Sequence, residues 1–329
     1  MFLAPMEGVM DHFMRDVLTR LGGIDQTVCE FIRITDQTTP DAVFFRDAPE
    51  LKNQSRTPAG TPVFIQLLGG DVLRLAEHAR IAVRLGAIGV DLNFGCPAKT
   101  VNRHDGGATL LLYPERMQKI VRAVRDAVPA HIPVTAKIRL GFTDPSACIE
   151  SASAVAAGGA DWITVHCRTK MDMYKPPAYW NWIPEIKKHL QIPVIANGDI
   201  FNVQDLKACA EVTGCDQFMI GRGALIDPFI FCKIKGLDVD SSWRAVVRLV
   251  QDFFVRTRDE VSPAFAQART KQWLRELAKG HHPQAKLLFD EIKVLRDPEL
   301  LYSRLLMALP QTSELTSEGP SPRVTTTPT

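Results

Sequence analysis

The chain has 329 residues, of which 46% are hydrophobic and 23% are charged, and its formal net charge is +2. This composition predicts an ordinary soluble globular protein with a sizeable core. It excludes a membrane-spanning helix, because the sequence contains no run of about 18 apolar residues.

The seven cysteines are scattered along the chain and odd in number. They form no Cys-x-x-Cys pair and no Cys/His cluster with the spacing of a zinc site. We therefore expect reduced thiols, a cytoplasmic location and no bound metal. The first predicted strand begins at Phe2, which leaves no room for an N-terminal signal peptide.

Eight apolar, β-branched segments alternate with amphipathic segments of helical periodicity. This alternation predicts a parallel sheet with crossover helices, and eight repeats predict a closed (β/α)8 TIM barrel. A doubly wound open sheet is the alternative, but no Gly-x-Gly-x-x-Gly follows the first strand. The predicted strands are 2–5, 26–31, 62–68, 88–93, 133–138, 161–166, 192–196 and 217–220. The predicted helices are 11–21, 71–85, 115–127, 147–157, 181–189, 203–212 and 224–234.

The pattern changes after Gly236, where helical segments follow one another with no strand signal. We predict a linker near 236–242 and then helices at 243–258, 262–278, 283–295 and 297–309. The predicted domains are a barrel (1–238), a small C-terminal helical bundle domain (239–310) and a Ser-, Thr- and Pro-rich disordered tail (311–329).

Charge differs between the two folded parts. Residues 1–238 carry 26 basic and 26 acidic side chains, whereas residues 239–312 carry 12 basic and 9 acidic ones. The basic excess is concentrated in residues 262–286. On charge alone, a solvated helix face is the simplest interpretation of this segment.

The segment Leu92–Pro97 reads Leu-Asn-Phe-Gly-Cys-Pro and follows a predicted strand. Gly95 permits a turn and Pro97 cannot continue a sheet, so the thiol of Cys96 is presented at a strand end. A small apolar filler is the alternative role for this cysteine. The long polar loop that follows, beginning at Lys99, favours a chemical role, because such loops in compact domains are usually functional.

Reactive groups of a barrel gather on the loops that follow the strands. Polar or glycine-rich residues follow nearly every predicted strand. These are Pro5–Gly8, Arg33, Gln66, Asn93–Pro97, Lys137–Arg139, His166–Thr169, Asn197–Asp199 and Gly221–Gly223. The last two of these loops occupy the usual phosphate-binding corner of a barrel, where glycines expose backbone N–H groups and Arg222 adds a charged donor.

Lys137 points into the predicted barrel mouth, where an unpaired ammonium group would be costly. Two chemistries fit this lysine: a Schiff-base nucleophile of an aldolase, or a fixed cation beside the N1–C2=O edge of a flavin. Gln66 and His166 as neighbouring donors suit a flavin better.

The segment Val90–Pro97, followed by Gly106-Gly107-Ala108, resembles the signature of the tRNA-dihydrouridine synthases. These flavoenzymes saturate the C5–C6 bond of uridine in tRNA, and the resemblance covers residues 1–309. Three further segments, Pro5–Val9, Glu30–Arg33 and Ser55–Pro58, are most similar to the bacterial C class, which acts on the position-16 uridine of the D-loop.

The resemblance implies that FMN is the cofactor, NADPH the reductant and tRNA the partner of a monomeric enzyme. It implies a hydride transfer from reduced FMN to C6 of the uracil, with Cys96 as the general acid that protonates C5. The implied FMN contacts are Pro5, Met6, Glu7, Gln66, Lys137, His166, Asn197, Gly198, Asp199, Gly221 and Arg222. The implied tRNA contacts are Arg33, Asn93 and Tyr174 near the base, and Arg269, Lys271, Arg275 and Lys293 on phosphates.

Three alternative functions remain open from the sequence. The first is an FMN-dependent TIM-barrel reductase or dehydrogenase of a free small molecule. The second is a Schiff-base aldolase that uses Lys137. The third is a non-catalytic tRNA-binding protein that retains a flavin.

Overall fold

A closed barrel of parallel strands forms the first part of the computed structural model, which describes residues 1–98 and 106–309. Each strand pairs with its neighbour in the order β2-β1-β9-β8-β7-β6-β5-β4, and β2 pairs with β4 to complete the ring. The strands are β1 (Phe2–Leu3), β2 (Gln26–Val28), β3 (Ile32–Arg33), β4 (Val63–Leu68), β5 (Val90–Asn93), β6 (Val134–Gly141), β7 (Trp162–Thr169), β8 (Val194–Asn197) and β9 (Phe218–Ile220). The predicted (β/α)8 barrel is confirmed.

Helices connect the strands and cover the outside of the ring. They are α1 (His12–Arg20), α2 (Asp41–Asp47), α3 (Val72–Arg84), α4 (Pro114–Ala127), α5 (Cys148–Gly158), α6 (Trp182–His189), α7 (Val203–Thr213), α8 (Arg222–Ile226) and α9 (Ile230–Lys235). Short 3₁₀ helices span Pro49–Asn53 and Gly107–Leu112. Because both faces of the strands are covered, β4 is buried along its whole length.

Four helices follow the barrel: α10 (Trp243–Glu260), α11 (Pro263–Leu277), α12 (Pro283–Ile292) and α13 (Pro298–Met307). Ser242 and Ser262 cap the first two, since their hydroxyls accept the N–H groups of Ala245 and Phe265. One hydrophobic core runs through the barrel helices and these four helices. The predicted boundary between residues 238 and 239 therefore stays a prediction, and the predicted tail 311–329 lies outside the described residues.

Two predicted elements are each divided in the structure. The predicted strand 26–31 forms β2 and β3, which pair with successive parts of β4. Between them the carboxylate of Glu30 accepts the backbone N–H of Val9 at 2.9 Å. The predicted helix 224–234 forms α8 and α9, because Pro228 has no N–H to continue the helix and the Asp227 carboxylate instead accepts the N–H of Phe229 at 3.1 Å.

Among the described residues, no helix has both the length and the apolar character that crossing a membrane requires.

A buried ion pair links α1 to the 3₁₀ helix that precedes β4. The Arg15 guanidinium donates to both carboxylate oxygens of Glu50, at 2.7 and 2.8 Å, and to the carbonyl of Met10 at 2.8 Å. The side chains are 0% and 5% exposed, so neither charge is hydrated. The pair therefore fixes the start of α1 against the connection between β3 and β4.

We expect Arg15→Ala to lower the free energy of unfolding by about 3–5 kcal/mol, because it leaves the Glu50 carboxylate buried without a partner. Urea unfolding measures this loss. Arg74→Ala is the matched control, since its ion pair with Glu77 is exposed and should contribute about 0–1 kcal/mol. Equal losses in the two variants would contradict the prediction.

Candidate active site

A cavity of about 480 Å³ opens at the carboxyl ends of the barrel strands. Its wall contains every residue that the sequence predicts to contact the cofactor: Pro5, Met6, Glu7, Gln66, Lys137, His166, Asn197, Gly198, Asp199, Gly221 and Arg222. Cys96, Asn93 and Tyr174 also line it. The structure therefore brings together the predicted thiol, the predicted cofactor contacts and two of the predicted base contacts.

A chain of amide and carboxylate side chains runs from below the cavity to the thiol. Asp91 is buried, and its two oxygens accept the Gln66 amide and the Thr135 hydroxyl, both at 2.6 Å. Since a carboxylate only accepts, Gln66 turns its Nε2 towards Asp91 and its Oε1 towards the amide of Asn93, 2.9 Å away. Asn93 Oδ1 then accepts the N–H of Cys96 at 3.0 Å. This chain fixes the turn that carries the thiol.

The cysteine turn is also held from the opposite side by Arg139, a residue of the predicted rim for which the sequence predicted no role. Its buried guanidinium donates to the carbonyls of Gly95 and Met173, both at 2.8 Å, and of Thr169 at 2.9 Å. Burial raises the pKa of the Cys96 thiol above its ordinary value, against the smaller effect of the Arg139 charge. The thiol therefore carries its proton at neutral pH.

Lys137 lies on β6 beside the cysteine turn, where its carbonyl accepts the N–H of Phe94 at 2.9 Å. Its Nζ donates to Asn197 Oδ1 at 3.1 Å, and the Asn197 amide donates to the carbonyl of Met219 at 2.7 Å. Burial and then the neighbouring Arg139 charge lower the pKa of Lys137 to about 8. Burial and the charges of Arg139 and Lys137 hold the pKa of His166 well below its ordinary value, so its imidazole is neutral at pH 7.

The corner between β8 and β9 presents glycines and an arginine. Gly198 has φ of +128°, and a Cβ there would lie 3.2 Å from the His166 ring, so the backbone approaches the cavity where a side chain would not fit. Arg222 is held by bonds of 3.3 Å to the Asp199 carboxylate and the Tyr174 carbonyl. Arg222 and Gly198 therefore both line this corner of the cavity.

Arg168 is a second residue of the predicted rim for which the sequence predicted no role. It is fully buried and donates to the Asp199 carboxylate at 2.5 Å and to the carbonyl of Lys175 at 2.6 Å. The Asp199 carboxylate thus accepts from two arginines, and its effect is to hold Arg222 at the rim. The period of two in a strand was the available signal, because Arg139 and Arg168 lie two residues after Lys137 and His166 and share their faces.

Tyr174 lies at the mouth of the cavity between two cations. Its ring centroid is 5.2 Å from the Arg139 guanidinium and 5.5 Å from that of Arg222, both within cation–π range. Tyr174 is 50% exposed, so its side chain can contact a ligand at the mouth of the cavity. Among the described residues that line the cavity, Lys137, Arg139 and Arg222 face only Glu7 and Asp199, which favours an anionic ligand.

The other predicted tRNA contacts lie away from the cavity wall. Arg33 is exposed at the end of β3. Arg275 and Lys293 are exposed and pair with Glu276 and Asp290 of their own segments. Lys271 donates its Nζ to the carbonyl of Leu295.

Arg269 does not have the exposed position that the sequence analysis expected of a phosphate contact. Its side chain is 9% exposed, and it pairs with Asp11 at 2.9 Å. Charge and helical periodicity place an arginine on a helix face, but they do not show what packs against that face.

Within residues 1–98 and 106–309, no three His, Cys, Asp or Glu side chains are grouped so that they could hold a metal ion.

The fold and the cavity together define a class: TIM-barrel enzymes with an anion-binding corner, a buried lysine and a protonated thiol at the strand ends. Residues 2–295 match the family described as dihydrouridine synthase, and the chain belongs to that family. The resemblance predicted from the cysteine motif is confirmed.

Two similar proteins are both described as tRNA-dihydrouridine(16) synthases. The one from Pseudomonas putida is 48% identical over 296 residues, covering 88% of this chain and 91% of that protein. The one from Aquipseudomonas alcaligenes is 46% identical over 311 residues, covering 93% and 98%. Among solved structures, an old yellow enzyme homologue from Zymomonas mobilis matches with a TM-score of 0.50 at 14% identity, covering 69% of this chain and 86% of that one. This last likeness concerns the fold alone.

Proposed function

We propose that this chain reduces the uridine at position 16 of tRNA to 5,6-dihydrouridine, with FMN as cofactor and NADPH as reductant. The observation that carries the proposal is one cavity that holds a protonated thiol, a lysine with a lowered pKa and a glycine–arginine corner. The similar proteins described as tRNA-dihydrouridine(16) synthases support the substrate and the position. The monomeric state and the cytoplasmic location stay predictions.

The cavity residues fit FMN by their chemistry. Gln66, Lys137 and the neutral His166 are donors that suit the polar edge of a flavin, and Pro5, Met6 and Glu7 line the cavity beside them. Gly198, Gly221 and Arg222 suit the ribityl phosphate, with Asn197 and Asp199 as the groups that hold Lys137 and Arg222 in place. When bound and reduced by NADPH, FMN supplies a hydride for C6 of the uracil.

Cys96 supplies the proton for C5. Its thiol is protonated at neutral pH because burial raises its pKa. The turn that carries it is held at the cavity wall because Asn93 Oδ1 accepts the Cys96 N–H and Arg139 donates to the Gly95 carbonyl. A positioned acid can act without reorganisation during the reaction. Tyr174, with an exposed ring beside Arg139, is placed to stack on the base.

The tRNA contacts outside the cavity are also part of the proposal. Arg33, Arg275 and Lys293 have exposed side chains that can reach phosphates, and Lys271 lies on the same helix as Arg275. Each phosphate contact contributes about one unit to the salt dependence of tRNA binding.

The direct test is incubation of the purified protein with NADPH and unmodified tRNA, followed by mapping of dihydrouridine through reverse-transcription stops. We expect one new stop pattern at position 16. Dihydrouridine at another position would contradict the proposed position but support the proposed reaction. A flavin-loaded protein that oxidises NADPH and leaves tRNA unchanged would favour the reductase of a free small molecule instead.

We expect Cys96→Ala to lower the rate of dihydrouridine formation by about 10²–10⁴-fold, because it removes the proton donor. FMN binding, measured by the flavin absorbance of the purified protein, should persist. Cys148→Ala is the matched control, since that thiol is buried in α5 outside the cavity. Turnover of Cys96→Ala close to that of the control would refute the assignment.

The lowered pKa of Lys137 predicts how the affinity for FMN depends on pH. The pKa of about 8 in the ligand-free protein means that the ammonium is charged at pH 7 and mostly neutral at pH 9. Binding at pH 9 must then take up a proton, so the dissociation constant for FMN should rise roughly tenfold from pH 7 to pH 9. Fluorescence titration of the apoprotein measures it, with Lys137→Met as a control of weaker and nearly constant affinity. If the dissociation constant for FMN of the protein without substitutions did not change with pH, a role of the Lys137 charge in FMN binding would be excluded.

A further inference from the structure

The loop between β1 and α1 forms one wall of the cavity, through Pro5, Met6, Glu7 and Val9. Its own hydrogen bonds are few. The N–H groups of Val9 and Met10 share the carbonyl of Met6, at 3.0 and 2.8 Å, and Gly8 has the positive φ of +70° that such a tight turn requires. The loop therefore needs an external partner to keep a single conformation.

One such partner is the Glu30 carboxylate, which accepts the Val9 N–H at 2.9 Å. The other is Arg269 of α11, more than 250 residues later in the chain, which binds the loop carbonyls. Its Nη1 donates to the carbonyl of Gly8 at 3.0 Å and its Nη2 to the carbonyl of Val9 at 2.6 Å. Nε and Nη2 also contact the Asp11 carboxylate, at 3.0 and 2.9 Å. Gln272, on the same helix, donates a second bond to the Gly8 carbonyl at 3.1 Å.

The Arg269 guanidinium is fully engaged in these bonds. Its charge is balanced by Asp11, it lies over the Phe253 ring at 5.8 Å, and its side chain is 9% exposed. Asp11 is itself fixed, because its other oxygen accepts the N–H of Met14 and caps α1. A phosphate could reach Arg269 only if these bonds were broken.

We propose that Arg269 is a positioning residue of the cofactor site: it fixes the Pro5–Val9 wall from the C-terminal helices, so that these helices are part of the flavin site. The inference rests on the proposed function for the identity of the cofactor. Arg269 acts through the loop backbone and touches no reacting atom. This positioning role replaces the sequence-based expectation that Arg269 binds a tRNA phosphate.

The test compares FMN affinity with the salt dependence of tRNA binding. Arg269→Lys keeps a positive charge beside Asp11 but loses the fork that holds two loop carbonyls. We expect its dissociation constant for FMN, measured by fluorescence titration of the apoprotein, to rise roughly tenfold, the effect of one charge-assisted hydrogen bond. The slope of log Kd for tRNA against log salt should equal that of the unvaried protein.

Arg275→Ala is the matched control on the same helix, because Arg275 is exposed and pairs only loosely with Glu276, at 3.6 Å. It should leave FMN affinity unchanged and reduce the tRNA salt slope by about one unit. FMN affinity of Arg269→Lys within threefold of the unvaried protein would overturn the inference. A reduced salt slope together with that unchanged affinity would restore the role of a phosphate contact.

Gln272→Leu keeps the test decisive if Arg269→Lys fails to fold, as judged by its melting curve. This variant removes the bond from Gln272 to the Gly8 carbonyl and the bond that Gln272 Oε1 accepts from the Arg269 guanidinium, whereas the bonds of Arg269 to Gly8, Val9 and Asp11 remain. We expect FMN binding about threefold weaker, and an unchanged value would overturn the inference. Absence of FMN binding in the unvaried protein would overturn the proposed cofactor as well, whereas equal binding by the unvaried protein and the variants would overturn the positioning role alone.

Discussion

The closure of the sheet by the pairing of β2 with β4 is the interaction on which the site depends. Thr27 and Val28 align with Val63 and Phe64, and this short ladder converts an open sheet into a ring. Because all the strands run parallel, closure brings the end of each one to the same rim. Residues from Pro5 to Arg222 thereby line a single cavity, although a helix and a strand separate each contributing loop from the next along the chain. An open sheet would leave these loops along an edge.

Burial at that rim then sets the protonation of the groups that closure assembles. Lys137 and His166 lose affinity for protons because they are buried among cations, whereas Cys96 holds its proton more tightly for the same reason of desolvation. The site therefore combines a protonated thiol with an ammonium group that gives up its proton more readily than an ordinary lysine. Asp91 partly balances this positive charge from below, within a network that also fixes Gln66.

Sequence reasoning predicts the parts of this arrangement that depend on local pattern. Strand ends, the cysteine turn and the glycine corner are visible in the order of apolar and polar residues, so the cavity wall could be predicted before the fold was known. Arg139 and Arg168 lie among the predicted rim residues, and the period of a strand places them on the faces of Lys137 and His166, although no role was predicted for them. The role of Arg269 could not be predicted, because it depends on a loop far away in sequence. The break between β2 and β3 likewise depends on the bond from Val9 to Glu30, a tertiary contact.

The continuous core and the Arg269 contacts also restrict how this chain can diverge. Catalytic barrels and substrate-binding appendages often evolve as separable units, because few contacts cross their boundary. Here Arg269 of the appendage bonds the β1–α1 loop that forms one wall of the cavity, and Trp273 donates to the carbonyl of Leu225 in α8. A change in the β1–α1 loop therefore has to be matched by a change in α11. Helices exchanged between relatives would keep the β1–α1 loop in place only if the exchanged segment kept its bonds to Gly8, Val9 and Asp11.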